Sequence, residues 1–345
     1  MGVQHRIVPG TDLRLSEIGF GCGGNAGLMV RGEPAEQRRV IARALELGIN
    51  YFDTAPDYGN GAAEEALGRV LRDIGARPLI TSKVEVRRPD LGDVAGHVVR
   101  SAHESLRRLR VERLDVLQIH NGPTAAPPPM DGDDYHELWI EHFLGPGGAA
   151  DGLRRLLEAG AVRYAGFICR GDDGAAARAL LDTGLFHVIN VPYTLLNPTA
   201  GMAKPPGLAI DRDYGDVLGA ARRRRCGAAV YSPLAGGVLA GATAQHALAR
   251  RVNPASDTVR HKQILAARFR FLAEACGGSL AQAAYRFVLM HPGVSTALGG
   301  FSSLEQMEEI TAVSGLPPIP PELLAEVETV WRTPLAHNQV ERGPT

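Results

Sequence analysis

Four side chains near the ends of three consecutive apolar runs could do chemistry together. Asp53 and Tyr58 follow the second run, Lys83 closes the third and His120 closes the fourth. A phenol titrates near ~10. An ammonium beside it favours the phenolate, so Lys83 would let Tyr58 exchange a proton near neutral pH. A carboxylate such as Asp53 would hold that ammonium in place. A neutral imidazole can donate a hydrogen bond to a carbonyl oxygen and orient it, which gives His120 a part. The set describes a proton-transfer site for a carbonyl or an alcohol, without a metal. Taken singly, each residue has a plainer explanation: Lys83 as a buried ion-pair partner, Asp53 as a turn cap, His120 as a satisfied core histidine. Only the joint spacing with Tyr58 argues for chemistry.

Such convergence needs a scaffold that brings strand ends to one rim. Strand-like runs lie at 17–21, 50–53, 79–83, 115–120, 164–168, 187–191, 228–232 and 296–298. Helix-like periodic segments at 34–47, 62–71, 93–109, 151–159, 174–181, 213–224 and 280–290 fall between them. Gly48, Gly160 and Gly227 read as helix stops. The alternation predicts parallel strands joined by crossovers, and eight such units predict an α/β fold, the (β/α)8 TIM barrel. Residues 6–15, with Pro9-Gly10 as a turn, read as an N-terminal β-hairpin closing the barrel floor. Two insertions, 121–148 and 235–260, follow strands and would overhang the C-terminal face. Trp139, Phe143 and Leu144 in the first suit either a lid over the pocket or packing within the insertion. No repeat or linker divides the 345 residues, so one domain is expected over 1–345, with a core of about 16–313.

The tetrad and its surroundings resemble the aldo-keto reductase superfamily, whose proton relay is Asp, Tyr, Lys and His on this barrel. Residues 48–59 look like the family's G-x-[ND]-x-[FI]-D-T-A-x-x-Y-G. Glu64-Glu65-Ala66-Leu67-Gly68 looks like its following helix motif. Ser105 through Asp115 looks like its S-[LI]-x-[RK]-L-x-x-[DE]-[YR]-[LV]-D. The resemblance implies Tyr58 as general acid or base, Lys83 lowering its pKa, Asp53 pairing with Lys83, and His120 positioning the substrate oxygen. It implies hydride exchange with NAD or NADP and a small carbonyl or sugar substrate, such as an aldose or another small aldehyde. The stretch after the last strand looks most like the L-galactose dehydrogenase and D-threo-aldose 1-dehydrogenase branch.

The same resemblance implies the cofactor residues. Tyr231, Ser232, Leu234 and Gly236 match the Y-S-P-L-x-x-G loop, with the Tyr231 ring stacking on nicotinamide and Ser232 near the pyrophosphate. Asn190 stands where most members carry Gln as a carboxamide partner. Gly300, Ser302, Ser303, Gln306 and Glu309 belong to a stretch that opens a helix, with capping-box spacing for Ser302/Glu305 or Ser303/Gln306. A helix N-terminus there suits a phosphate or ribose. The stretch from Gly300 to Gln306 carries no basic residue, and Glu305, Glu308 and Glu309 would repel a 2′-phosphate, which favours NAD. Arginines between 250 and 270 could instead fold over the adenosine. The chain departs from the family at Ile168, which cannot make the expected hydrogen bond, and at Ile310. The Gly19–Gly24 loop is too poor a match for a dinucleotide fold: no helix opens directly after it.

Other classes fare worse. The formal net charge of −1 points to no nucleic acid and no acidic membrane surface. No run of 18 apolar residues suggests a membrane span. The first ten residues have no apolar core, and Cys22, Cys169, Cys226 and Cys276 are scattered singly, so a cytoplasmic, reduced setting is expected. His97, His103, His136 and His142 form no metal triad, and Arg222 to Arg225 read as a solvated helix end. A Schiff-base aldolase using Lys83 and a cofactor-sensing auxiliary subunit are the competing functions. The sequence does not set the oligomeric state.

Overall fold

Eight parallel strands close on themselves. In the computed structural model, which describes residues 2–128, 136–171, 173–241, 247–249 and 256–334, they are β3 (Ile18–Gly21), β4 (Tyr51–Asp53), β5 (Leu79–Val84), β6 (Leu114–Ile119), β9 (Val162–Ile168), β10 (Phe186–Pro192), β11 (Gly227–Tyr231) and β12 (Val294–Gly300). The order runs β3-β4-β5-β6-β9-β10-β11-β12 and returns to β3. All eight expected strands are present, and the fold is the (β/α)8 barrel. Before it, β1 (His5–Ile7) and β2 (Arg14–Ser16) pair antiparallel as the expected hairpin. Val8, Leu13 and Leu15 plug the floor against Tyr51, Val116, Val188, Ala229 and Leu298 inside the barrel.

The surrounding helices are α1 (Leu28–Arg31), α2 (Pro34–Glu46), α3 (Ala62–Ile74), α4 (Val94–Leu109), α5 (Ile140–Leu144), α6 (Ala149–Glu158), α7 (Gly174–Asp182), α8 (Val217–Arg223), α9 (Asp257–Ala267), α10 (Phe271–Cys276), α11 (Leu280–Met290), α12 (Leu304–Thr311) and α13 (Pro321–Arg332). Each amphipathic helix buries one stripe, as Val40, Ile41 and Ala44 of α2 show. The Glu64–Gly68 motif has a structural reason. Glu64 is fully buried, accepting from Ser82 Oγ of β5 at 2.5 Å and from Arg108 Nε of α4 at 2.6 Å. A Cβ on Gly68 would lie 2.4 Å from the Leu109 carbonyl oxygen, so only glycine lets α3 and α4 approach there.

Two local expectations need correction. Gly227 is not a helix stop but the first residue of β11, because a Cβ there would meet Ser295 Oγ and Val8 Cγ1 at 2.7 Å each. The left-handed position after α8 belongs to Arg225, at φ 57°. That helix also starts later than residue 213, at Val217, where the Asp216 carboxylate caps the Gly219 N–H at 3.2 Å.

The described residues of both insertions lie at the C-terminal face. In the first, β7 (Gly122–Thr124) and β8 (Glu137–Trp139) pair in parallel. Phe143 is fully buried and Leu144 packs on the core, whereas Trp139 donates to the Ala125 carbonyl at 3.1 Å. These three side chains pack the insertion itself. In the second, the Leu248 carbonyl accepts from Arg31, which also donates to the Gly24 carbonyl at 2.6 Å, so this segment lies over the loop after β3. Arg250 and Arg251 fall outside the described residues. Among the described residues, no helix is long and apolar enough to cross a membrane.

Candidate active site

The deepest part of the site is a hydrogen-bonded chain spanning four strands. Lys83 Nζ, on β5, donates to Asp53 Oδ1 on β4 at 2.5 Å and to the Thr54 carbonyl at 2.7 Å. Asp53 Oδ2 accepts from Asn190 Nδ2 on β10 at 2.9 Å, and Asn190 Oδ1 accepts from Gln118 Nε2 on β6 at 2.8 Å. All four side chains are buried. Gly166 makes room for this row, since a Cβ there would lie 2.8 Å from Gln118 Cγ. Burial opposes the Lys83 charge, but Asp53, with Tyr58, outweighs it and holds the ammonium above its ordinary pKa. A Schiff-base nucleophile must shed that proton, so this arrangement disfavours the aldolase reading.

Tyr58 stands over this chain at the rim, with Lys83 Nζ 5.0 Å from its ring centroid. Left-handed Gly59 and Gly61 (φ 67° and 88°) turn the chain from Tyr58 into α3. A Cβ on Gly23 would lie 3.8 Å from Tyr58 Cζ, so the glycine loop after β3 runs beside the phenol. The expected lowering of the Tyr58 pKa is not the net result. Burial raises it, and the pull of Lys83 and Arg170 offsets only part of that rise. At neutral pH Tyr58 is a phenol, a proton donor held beside an ammonium.

His120 is buried, its ring edge-on to Tyr58 with centroids 6.0 Å apart. Its Nδ1 is 3.0 Å from Asp57 Oδ2, and its Nε2 is 2.9 Å from Arg170 Nη2. A carboxylate only accepts and a guanidinium only donates, so the partners assign the proton to Nδ1 and leave Nε2 as acceptor. Burial pushes the His120 pKa down to about 3. In this arrangement His120 has no Nε2 proton to give a carbonyl oxygen, the part the sequence suggests for it.

A second cluster surrounds that histidine. Arg170 Nη1 is 2.9 Å from His136 Nδ1 and 3.4 Å from Glu85 Oε1, and Arg87 Nη2 donates to Asp57 Oδ1 at 3.0 Å. Burial, a hydrogen bond with Asp57 and its charge raise the Glu85 pKa to about 7. Asp57 is held well below the usual carboxylate range: burial works against this, but His120, Glu85 and Arg87 outweigh it. Asp57, Glu85 and His120 bring potential metal-ligand atoms within 4.8 Å of one another, a grouping the sequence does not reveal. Those atoms are engaged in hydrogen bonds, and two guanidiniums beside them oppose a cation. Glu85 and Arg170 escape sequence reasoning because they meet only in space. The one available clue is position: each lies two residues beyond a strand-end residue of interest, Lys83 or Ile168.

The expected cofactor residues divide into two groups. Tyr231 ends β11 on the rim, and the following loop runs through left-handed Ser232 (φ 52°), Ala235 (φ 51°), Gly236 (φ 76°) and Gly237 (φ 96°). Nothing lies within 4 Å of a Cβ built on Gly236 or Gly237, so the loop opens onto free space. Leu234 anchors it against the core. Successive amides in such a loop make a concavity for an anion, which fits a pyrophosphate. The second group is engaged internally. Asn190 belongs to the Asp53 chain. Ser303 is the cap of α12, accepting from Gln306 N at 3.4 Å, while Gln306 Oε1 accepts from Ser302 N at 2.9 Å. Ser302 Oγ donates to the Ala26 carbonyl at 2.7 Å, and Glu309 Oε1 accepts from Ser279 Oγ at 2.5 Å. A Cβ on Gly300 would lie 3.3 Å from Ala26 Cβ. Glu308 pairs with Arg43 of α2 at 2.7 Å, so part of the acidic charge there is neutralised.

Known proteins resemble this chain in structure or in sequence. Glycerol dehydrogenase from Gluconobacter oxydans superposes with a TM-score of 0.73 at 24% identity, covering 98% of this chain and 99% of that one. Aldo-keto reductase YhdN of Bacillus subtilis is 25% identical over 332 residues, 91% of this chain and 89% of that protein. A Schizosaccharomyces pombe protein, provisionally named as a voltage-gated potassium channel subunit beta, is 25% identical over 358 residues, 96% of this chain and 95% of that protein. A family model described as the aldo/keto reductase family matches residues 17–332, from the strand that opens the barrel to the end of α13. The chain therefore belongs to the aldo/keto reductase family.

Proposed function

We propose that the chain interconverts a small carbonyl compound and its alcohol with a nicotinamide dinucleotide, Tyr58 acting as general acid–base. The observation that carries this reading is the Tyr58 ring at the rim, its centroid 5.0 Å from a buried Lys83 Nζ that is itself locked to a carboxylate. When bound, the dinucleotide supplies or takes up the hydride at the substrate carbon. Tyr58 gives its proton to the carbonyl oxygen, or takes the alcohol's. Lys83 stabilises the phenolate that remains, and Asp53 keeps Lys83 charged and in place. Tyr231 would stack on the nicotinamide, and the open left-handed loop from Ser232 to Gly237 would hold the pyrophosphate.

Within the family, the stretch 300–309 supports the sugar-dehydrogenase branch, and with it an aldose or other small aldehyde as substrate. The lack of a basic side chain from Gly300 to Gln306 supports NAD over NADP. Four free thiols support a cytoplasmic, reduced setting for one domain spanning 1–345. A second reading, an auxiliary subunit that senses the cofactor, draws support from the name of the fission-yeast relative.

A turnover screen of aldehydes, ketones and sugars with NADH and NADPH, and of alcohols with NAD and NADP, tests the enzyme reading. Turnover is expected with at least one class. Tight cofactor binding without turnover of any class would favour the sensor. For the cofactor, NADH is expected to show the lower Kd in the same buffer. NADPH binding tenfold tighter, a difference of ~1.4 kcal/mol, would show that a basic group reaches the 2′ position from elsewhere and would overturn the NAD preference.

A further inference from the structure

Arg170 is the largest unexplained investment in the site. It lies just beyond β9, on the rim that also carries Tyr58, His120 and Tyr231. Its positive charge acts on all three, drawing down the pKa of the Tyr58 and Tyr231 phenols and opposing protonation of His120. The backbone around it is pinned. A Cβ on Gly122 would come within 3.0 Å of Arg170 N, and the Arg170 carbonyl accepts from Arg212. The side chain is about three-quarters buried, at 26% exposure.

Its partners are poor ones for so buried a guanidinium. Two are imidazole nitrogens, His120 Nε2 and His136 Nδ1, both at 2.9 Å. The third is Glu85, whose Oε1 lies at the long distance of 3.4 Å from Arg170 Nη1. The fully ionised carboxylate nearby, Asp57, is taken by Arg87 and His120. A planar guanidinium is best satisfied by two parallel hydrogen bonds to one carboxylate. Among the described residues, none offers Arg170 that pairing. His120, with Nε2 as an acceptor, cannot hold a substrate carbonyl, so some other donor must do so.

We propose that Arg170 is a specificity-determining residue that receives the carboxylate of the substrate, and that the substrate class is small oxo acids and their hydroxy-acid counterparts. The inference rests on the oxidoreductase reading above and narrows its small carbonyl compound to one bearing an acid group beside the reacting carbon, in place of an aldose. The substrate carboxylate displaces His120 Nε2 and His136 from the guanidinium fork. Its neighbouring carbonyl then faces Tyr58. In the reductive direction the carbonyl carbon gains a hydride from the reduced dinucleotide, its oxygen gains the Tyr58 proton, and a hydroxy acid and oxidised dinucleotide result.

The test separates binding from turnover. Oxamate, an unreactive mimic of an oxo acid, and oxamide, its uncharged counterpart, are titrated into the full chain saturated with NADH or NADPH. Oxamate is expected to bind at least tenfold tighter than oxamide. In Arg170→Gln that ratio is expected to collapse toward one, and in Arg170→Lys, which keeps the charge but loses the fork, to fall between. Retained dinucleotide binding and an unchanged melting profile show that each variant is folded. If Arg170→Gln fails that control, the Arg170→Lys ratio decides alone: a ratio equal to wild type refutes the proposal. A wild-type ratio near one, or a ratio unchanged in Arg170→Gln, also overturns it. If the ratio behaves as expected but no carbonyl compound is turned over, the carboxylate site stands and the oxidoreductase reading falls. If carbonyl compounds are turned over without any preference for acids, the reverse holds.

Discussion

Two clusters of charge sit within one barrel mouth and are built on opposite principles. The inner one, Lys83, Asp53, Asn190 and Gln118, is buried, lies on the strands themselves, and closes its charge with one lysine and one carboxylate. The outer one, His120, Arg170, Glu85, Asp57, Arg87 and His136, is drawn mainly from strand ends and loops. It holds two guanidiniums, and one of its carboxyls is only half ionised near neutral pH. The inner cluster can hold a fixed proton inventory because its side chains are buried from solvent. The outer one can trade partners. The comparison suggests that the chemistry is set by the first and the choice of substrate by the second.

Removing the inner cation should have the largest effect on stability. Lys83→Met leaves Asp53 buried without its counter-charge, and the loss of one partner of a buried pair costs ~3–5 kcal/mol. Denaturant unfolding at pH 7 measures it. A loss below ~1 kcal/mol would mean that the pair is not the closed unit described.

The outer cluster should show instead in the pH dependence. The Glu85 pKa is raised in the folded protein, from 4.5 to about 7, so the folded state binds more protons than the unfolded one. Its contribution to stability is full below about pH 4.5 and is lost as pH rises through about 7. Relative to Glu85→Gln, the wild-type unfolding free energy should therefore fall across that window, by up to roughly 3 kcal/mol at ~1.4 kcal/mol per unit. The depressed His120 pKa favours stability in the opposite direction below about pH 6.5, but it is present in both proteins and largely cancels in the difference. A difference that does not vary with pH would remove Glu85 from the account.

Asp57→Asn should matter least for stability. Its ion pair with Arg87 is partly exposed, at 27% and 46%, and such pairs contribute under ~1 kcal/mol. Its effect should be electrostatic: with the neighbouring charge gone, the Glu85 pH window should move to lower pH. An unfolding free energy that drops as far as in Lys83→Met would erase the distinction between the two clusters.

The difference between the clusters also explains what the sequence revealed. The eight strands were legible because each is a short apolar run between periodic helices. Asp53, Tyr58, Lys83 and His120 were legible because barrel closure carries strand ends to one rim. Arg170 and Glu85 were not, because their contact joins loops 85 residues apart and no local pattern marks it. Helices α9 and α10 were missed in a stretch read as an insertion and its continuation, where alanine and arginine blur the apolar stripe. The stop after α8 was misplaced because Gly227 answers to packing against Val8 and Ser295 rather than to a turn. The Tyr58 pKa shift ran against expectation because charge pairs can be inferred from residue types, whereas the cost of burial cannot.

The central claim is that Tyr58 moves the proton while the rest of the site merely positions and binds. Its most direct test is Tyr58→Phe, assayed for turnover of any substrate found and, in parallel, for NADH and NADPH affinity. Turnover should fall ~10²–10⁴-fold, the usual contribution of a general acid–base group, with dinucleotide Kd unchanged within about twofold, well under the tenfold that ~1.4 kcal/mol represents. Turnover near the wild-type rate in Tyr58→Phe would contradict the account.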